Sequence, residues 1–133
     1  MKIPAQAEIM LTNALRLAED TGCDKIFLFL NSAQSCKSLW DLDAVKEDRV
    51  VLVLQKDQKI ADCIKNNKTV VHTWSGNQTR FSRIKYAFMQ GVLQKVIQPD
   101  SKVVCVLGPW GKDHLDTITV HDLSLSWSEE YPF

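Results

Sequence analysis

A polar segment follows the first apolar run of the chain and offers groups that could hold an anion. The run Lys25 to Leu30 is followed by amide and hydroxyl side chains, and the candidates are Asn31, Ser32, Gln34, Ser35 and Ser38. Where a strand leads into a helix, backbone N–H groups and hydroxyls attract a phosphate or a carboxylate. The alternative is a helix start capped by Ser and Asn that binds no ligand. Since the segment contains no glycine, it is neither a Walker loop nor a dinucleotide fingerprint.

A glycine-containing loop near the C-terminus is the second candidate. Gly108 and Gly111 permit backbone angles that other residues avoid, Trp110 between them could cover a flat ring, and Lys112 could meet an anion. The alternative is a simple turn whose Trp packs over the edge of the sheet. The sequence leaves both interpretations open.

Two further residues are candidates for the same ligand. His72 lies near the end of an apolar run, and Trp74 begins the loop that follows it. The alternative for His72 is a packed or solvated strand residue. Three cations follow that loop, Arg80, Arg83 and Lys85, and we expect them on a solvated helix face rather than at a ligand.

Catalytic and metal-binding arrangements are not indicated. Asp113, His114 and Asp116 have the side chains of metal ligands but no defined ligand spacing. The four cysteines form no Cys-x-x-Cys pair, and no Gly-x-Ser-x-Gly nucleophile turn occurs. We therefore expect no metal, no cofactor and no active site, with the cysteines reduced and Cys105 a small core residue.

The hydrophobic pattern alternates between helix and strand. Apolar residues recur at helical spacing from Ala7 to Ala18, with Gly22 as the stop, and again along Phe81, Ile84, Phe88, Val92 and Val96, with Thr79 as a possible N-cap and Pro99 as the end. Shorter helices are predicted from about Ala33 to Leu42 and after Asp57. The predicted strands are Lys25 to Leu30, Val50 to Leu54, Thr69 to Thr73, Lys102 to Leu107 and Asp116 to Asp122.

This alternation predicts an α/β fold. Strands that are apolar on both faces are typical of a parallel or mostly parallel sheet with helices on both sides. The last strand alternates in polarity, which suits an edge position. In such sheets ligands bind outside the carboxyl ends of the strands, where the candidate loops are expected.

Composition excludes several other classes. The 133 residues suit one domain, and the mixture of 45% hydrophobic and 24% charged residues is that of a globular protein. Sixteen basic residues balance sixteen acidic ones, which disfavours a nucleic-acid binder or a polybasic membrane anchor. No secretory signal or membrane-spanning run is visible, so we expect a cytoplasmic protein.

Two passages resemble a known domain family. The helix ending Ala18-Glu19-Asp20-Thr21-Gly22 before Lys25 to Leu30, and Pro99-Asp100-Ser101-Lys102 before Val103 to Gly108, are similar to the C-terminal domain of pyruvate kinase. A domain of this type also occurs at the N-terminus of some prokaryotic diadenylate cyclases. The resemblance covers roughly residues 5 to 122 and rests on element order and pattern.

The resemblance implies a specific architecture and a regulatory role. The family fold is a three-layer α/β/α sandwich with five strands in the order 3-2-1-4-5, the last antiparallel. In pyruvate kinases the loop after the first strand grips a phosphorylated effector, and Asn31 to Ser38 occupy that place here. The cyclase's catalytic Asp-Gly-Ala and Arg-His-Arg motifs are absent from this chain.

The leading hypothesis is therefore a non-catalytic regulatory or sensor domain associated with a diadenylate cyclase. It comprises residues 1–123, followed by a lead-out segment or linker at 124–133. The expected partners are an attached or separate catalytic domain, a small phosphorylated or anionic ligand, and further copies of the chain. The alternatives are an interaction or oligomerisation module without a ligand, and a small enzyme for a phosphorylated metabolite with His72 or His114 as base.

Overall fold

The computed structural model describes residues 5–30, 48–55, 70–73, 79–108 and 114–126. Within these ranges the helices are α1 (Ala5–Thr21), α2 (Arg80–Leu93) and α3 (Leu123–Ser126). The strands are β1 (Lys25–Phe29), β2 (Val50–Gln55), β3 (Val70–Thr73), β4 (Lys102–Leu107) and β5 (Thr117–Asp122). The helices predicted at Ala33 to Leu42 and after Asp57 lie outside the described residues.

The described strands form one mixed sheet in the order β3-β2-β1-β4-β5. The pairs β1–β2, β1–β4 and β2–β3 are parallel, and β4–β5 is antiparallel. The structure thus shows an α/β fold, and its strand order and the direction of the edge strand β5 agree with those expected. The carboxyl ends of β1, β2, β3 and β4 share one edge, called here the carboxyl edge.

Alternation along the buried strands divides the core between two helices. Ile26 and Leu28 of β1 pack in a cluster with Leu11 and Ala14 of α1. The intervening Phe27 and Phe29 pack in a second cluster with α2. Because β1 is apolar at every position from Ile26 to Phe29, it can bury both faces, one against each helix.

The second cluster is built around aromatic rings. Phe88 of α2 is fully buried, with its ring centroid 5.7 Å from that of Phe27 and 5.1 Å from that of His121, both edge-to-face. Cys105 is also fully buried, as predicted, and burial raises the pKa of its thiol well above the usual range. These contacts fix α2 against the strands that carry the candidate site.

Helix α2 ends earlier than the apolar spacing predicts. It stops at Leu93, and Lys95 adopts a left-handed conformation with φ 62°. The amide of Val96 then donates to the carbonyl oxygen of Gly91 at 2.8 Å, so the chain turns back at this point. The predicted series of apolar helix residues from Phe81 to Val96 is wrong at its two ends. Val96 lies beyond the helix, and Phe81 is 51% exposed.

The ends of the other elements follow local rules. Gly22 closes α1 with φ 74°, a conformation that costs other residues energy. The hydroxyl oxygen of Thr79 accepts a hydrogen bond from the amide of Ser82 at 3.1 Å, so the predicted N-cap of α2 is confirmed. None of the helices in the described ranges is long and apolar enough to cross a membrane.

Candidate functional site

The strand order places the topological switch point of the sheet at the carboxyl ends of β1 and β4. The chain runs from β1 outward through β2 and β3 and then returns to β4 on the other side of β1. Such a reversal of strand order separates the loops that leave the two neighbouring strands, and ligands of open α/β sheets bind there. Arg83 of α2 and Asp116 at the entry to β5 lie at this switch point.

Arg83 joins both strands at the switch point. It lies on α2 with only 5% of its surface exposed, and its Nη1 donates to the carbonyl oxygen of Gly108, directly after β4, at 2.8 Å. Its guanidinium carbon lies 5.6 Å from the centre of the Phe29 ring at the end of β1. Arg83 was expected on a solvated helix face, and that expectation is wrong.

The burial of Arg83 could have been recognised from its spacing. The buried residues of α2 are Arg83, Ile84, Ala87, Phe88 and Gly91, a set that follows the helical repeat. Arg83 precedes Ala87 by one turn and therefore occupies an inward position. A charged residue at such a position is rarely buried without a structural or functional reason.

Arg80 lies one turn before Arg83 and is more exposed. Its Nη2 donates to Oδ2 of Asp116 at 2.8 Å, and the two side chains are 43% and 31% exposed. Residues three apart on a helix are neighbours. Burial first, and the charge of Arg80 second, lower the pKa of Arg83. Arg80 and Arg83, called here the arginine pair, place two positive charges beside the carboxylate of Asp116 at the switch point.

The arginine pair is anchored on two short segments that lie side by side. Asp116 donates its amide to the carbonyl oxygen of Leu107 at 3.0 Å, which holds the entry to β5 against the end of β4. The Asp116 carboxylate also accepts a hydrogen bond from the Thr117 hydroxyl at 2.7 Å. This hydrogen bond, followed by the charge and hydrogen bond of Arg80, lowers the pKa of Asp116.

Gly108 is required for this arrangement, for a reason other than the one predicted. Of the described glycines only Gly22 has a positive φ, so Gly108 does not provide an unusual backbone angle. Instead, a Cβ on Gly108 would overlap the carbonyl oxygen of His114 and lie 2.7 Å from its carbonyl carbon. Glycine at this position permits two backbone segments to touch.

The segment His114 to Asp116 also contacts the opposite layer. The side-chain amide of Gln6, at the start of α1, donates to the carbonyl oxygen of Leu115 at 2.8 Å and lies 3.4 Å from Nε2 of His114. This segment, called here the bridging segment, therefore connects α1 on one face of the sheet with Arg80 of α2 on the other.

The structure describes only part of the predicted site. Gly108 is at the switch point, and His72 lies in β3, beside Leu54 of β2, with its backbone alone described. The other candidates lie outside the described residues: Asn31, Ser32, Gln34, Ser35, Ser38, Trp74, Trp110, Gly111 and Lys112. In the described part of the chain, no group of three or more His, Cys, Asp or Glu could hold a metal ion.

Comparison with models of known protein families identifies the family of the chain. The model of the family described as "Probable sensor domain DacZ_P" matches residues 6–127, which is nearly the whole chain and includes every described strand. No curated protein matches the chain. The family is a probable sensor domain linked to the diadenylate cyclase DacZ. The chain belongs to the DacZ_P family of probable sensor domains.

Proposed function

We propose that this domain binds a small anionic or phosphorylated ligand at the arginine pair and thereby regulates a diadenylate cyclase. The observation that carries the proposal is the position of Arg83, a buried cation in contact with the ends of both strands at the switch point. The family to which the chain belongs supports a sensing role rather than catalysis.

The two arginines have different parts in this proposal. Arg80, which is 43% exposed, is the cation that can meet a ligand from solvent. Arg83 would attract the ligand electrostatically from its buried position, because a charge surrounded by protein is less screened than one in water. The N-terminus of α2 adds the positive end of its helix dipole on the same side. All three contributions favour an anion.

Regulation requires that the ligand favour one of two arrangements of the domain and the cyclase. A ligand with equal affinity for both would leave the cyclase unchanged. Since Arg80 holds Asp116 in the bridging segment, a ligand that engages Arg80 acts directly on the connection to α1. This is the route by which we propose that occupancy of the site reaches the cyclase.

A thermal-shift panel of nucleotides and sugar phosphates at constant ionic strength tests the proposal. A ligand at one hundred times its dissociation constant adds about 2.7 kcal/mol to the free energy of unfolding. We expect at least one member to stabilise the wild type and to stabilise the Arg80→Gln variant much less. An absence of stabilisation across the panel, or an equal effect in the variant, would contradict the proposal.

The resemblance to the C-terminal domain of pyruvate kinase is part of the same proposal. The strand order and the antiparallel β5 support it. We also propose, as the sequence suggested, that Asn31 to Ser38 contribute hydroxyl and amide donors to the ligand. Residues 124–133 are proposed to lead toward the cyclase, after α3 has anchored the fully buried Leu123 in the core.

Self-association is the second candidate function. Leu93 at the end of α2 is 72% exposed and Leu125 of α3 is 70% exposed. Leu93 ends α2, which runs away from the carboxyl edge, and Leu125 lies in α3, which follows the antiparallel strand β5. Both residues therefore lie toward the opposite end of the sheet. A second copy of the chain could cover them. Light scattering over a range of concentrations tests this, and a mass that stays monomeric would contradict it.

A further inference from the structure

The carboxylate of Asp116 occupies the position in which a ligand's anionic group would meet Arg80. Its Oδ2 accepts a hydrogen bond from Nη2 of Arg80 at 2.8 Å, the geometry of an arginine with a bound carboxylate or phosphate. The pair lies at the surface, where water and solutes reach both partners. An exposed ion pair of this kind contributes little net stability, so it can be exchanged for another at small cost.

Asp116 is attached to the structure on both sides. Its amide donates to Leu107 of β4, and the preceding carbonyl group, of Leu115, accepts from Gln6 of α1. A change at the Asp116 carboxylate, which contacts α2, is therefore transmitted to a short segment whose backbone is hydrogen-bonded to β4 and to Gln6 of α1. The hydroxyl of Thr117 donates to the other carboxylate oxygen, Oδ1, and fixes the direction in which Oδ2 faces Arg80.

We infer that Asp116 is an internal competitor for the ligand. In the empty site it holds Arg80, and a bound phosphate takes over Arg80 and frees the carboxylate, so that the bridging segment loosens its contact with Gln6. This inference rests on the proposed function, because it concerns the same arginine pair. It adds the residue that sets the affinity and the first contact that changes on binding.

The Asp116→Asn variant tests this inference with little structural change. Asparagine has nearly the same shape and keeps an oxygen for the Thr117 hydroxyl, but it loses the charge that competes for Arg80. Asp122→Asn is the matched control. Asp122 lies at the other end of β5, opposite Lys102, and its pKa is likewise lowered by a hydroxyl donor, that of Ser124. The two variants change the net charge equally.

The measurement is an NMR titration of each protein with inorganic phosphate at constant ionic strength, following the resonances of Arg80, Gly108 and the Gln6 side-chain amide. We expect Asp116→Asn to bind phosphate more tightly than the wild type by up to about fivefold, the upper limit for one exposed ion pair, and Asp122→Asn to bind like the wild type. In the wild type the Gln6 resonances should shift together with those of Arg80.

The outcomes distinguish a failure of the inference about Asp116 from a failure of the proposed function. Phosphate binding that is equally tight in the wild type and Asp116→Asn overturns the inference and leaves the proposed function standing. Equal tightening in both variants also overturns it, since general charge then explains the effect. Gln6 resonances that stay fixed while those of Arg80 move overturn the loosening of the bridging segment. No phosphate binding at the arginine pair in any of the three proteins overturns both the inference and the proposed anion site.

Discussion

Replacing Gly108 with alanine should disrupt the junction between β4 and the bridging segment. The added Cβ would overlap the carbonyl oxygen of His114 and would lie 2.7 Å from the carbonyl carbon. Both atoms belong to the backbone, so no side-chain rotation relieves the overlap. The two segments must separate, and the contacts that cross between them are weakened.

The contacts at risk give the size of the effect. The amide of Asp116 donates to the Leu107 carbonyl oxygen at 3.0 Å, and Arg83 donates to the Gly108 carbonyl oxygen at 2.8 Å. A neutral hydrogen bond contributes about 1 kcal/mol and one to a charged group about 1.5–3 kcal/mol. We therefore expect Gly108→Ala to lower the free energy of unfolding by about 3 kcal/mol.

Urea unfolding followed by circular dichroism measures this change, with Gly91→Ala as the control. The three atoms nearest to a Cβ on Gly91 all belong to side chains: Cγ1 of Ile97 and Cζ of Phe27 at 3.1 Å, and Cδ1 of Ile97 at 3.2 Å. Alanine also gains about 1 kcal/mol in helix propensity over glycine. Gly91→Ala should thus stay within about 1 kcal/mol of the wild type. A Gly108→Ala variant as stable as the wild type, or less damaging than Gly91→Ala, would refute the reasoning.

Three further predictions concern α2 and its contacts. Phe88→Ala should lower the free energy of unfolding, measured in urea, by about 3–5 kcal/mol because the ring is fully buried. Phe81→Ala, at a 51% exposed position, should lower it by less than about 1 kcal/mol, and equal losses would contradict the assigned core. Thr79→Ala should cost about 1 kcal/mol through loss of the N-cap and Thr79→Ser much less, and a serine variant as unstable as the alanine variant would argue against capping. The difference in free energy of unfolding between wild type and Asp116→Asn should be present at pH values above the ordinary carboxyl pKa of about 3.9. It should disappear as the pH falls through the lowered pKa of Asp116 in the folded protein, and a difference that grows on acidification would contradict this.

The sheet could be predicted from the sequence because its central strands are apolar on both faces. Lys25 to Leu30, Val50 to Leu54 and Lys102 to Leu107 are too short for helices of that character and too continuous for half-exposed strands. Each coincides with an observed strand to within a residue. The N-cap at Thr79 and the stop at Gly22 were also predictable, since both depend on local backbone chemistry.

The arginine pair was harder to predict from the sequence. Arg80, Arg83 and Lys85 together suggest a solvated face, and only the strand order reveals that Arg83 lies over the ends of β1 and β4. Gly108 was selected for its conformational freedom, yet its importance comes from contact with His114, six residues later in the chain. Both features arise from packing between segments, which periodicity along one segment does not report.

Cyclic di-AMP formation by the intact cyclase together with this domain tests the central claim most directly. The rate is measured with and without the strongest ligand of the thermal-shift panel, for the wild type and for Arg80→Gln. A coupling of about 1 kcal/mol changes the equilibrium between the two arrangements of the domain and the cyclase about fivefold. We expect a rate change of that order in the wild type and no such change in Arg80→Gln. A ligand that binds the wild-type domain but leaves the rate unchanged, or that acts equally on Arg80→Gln, would contradict the account.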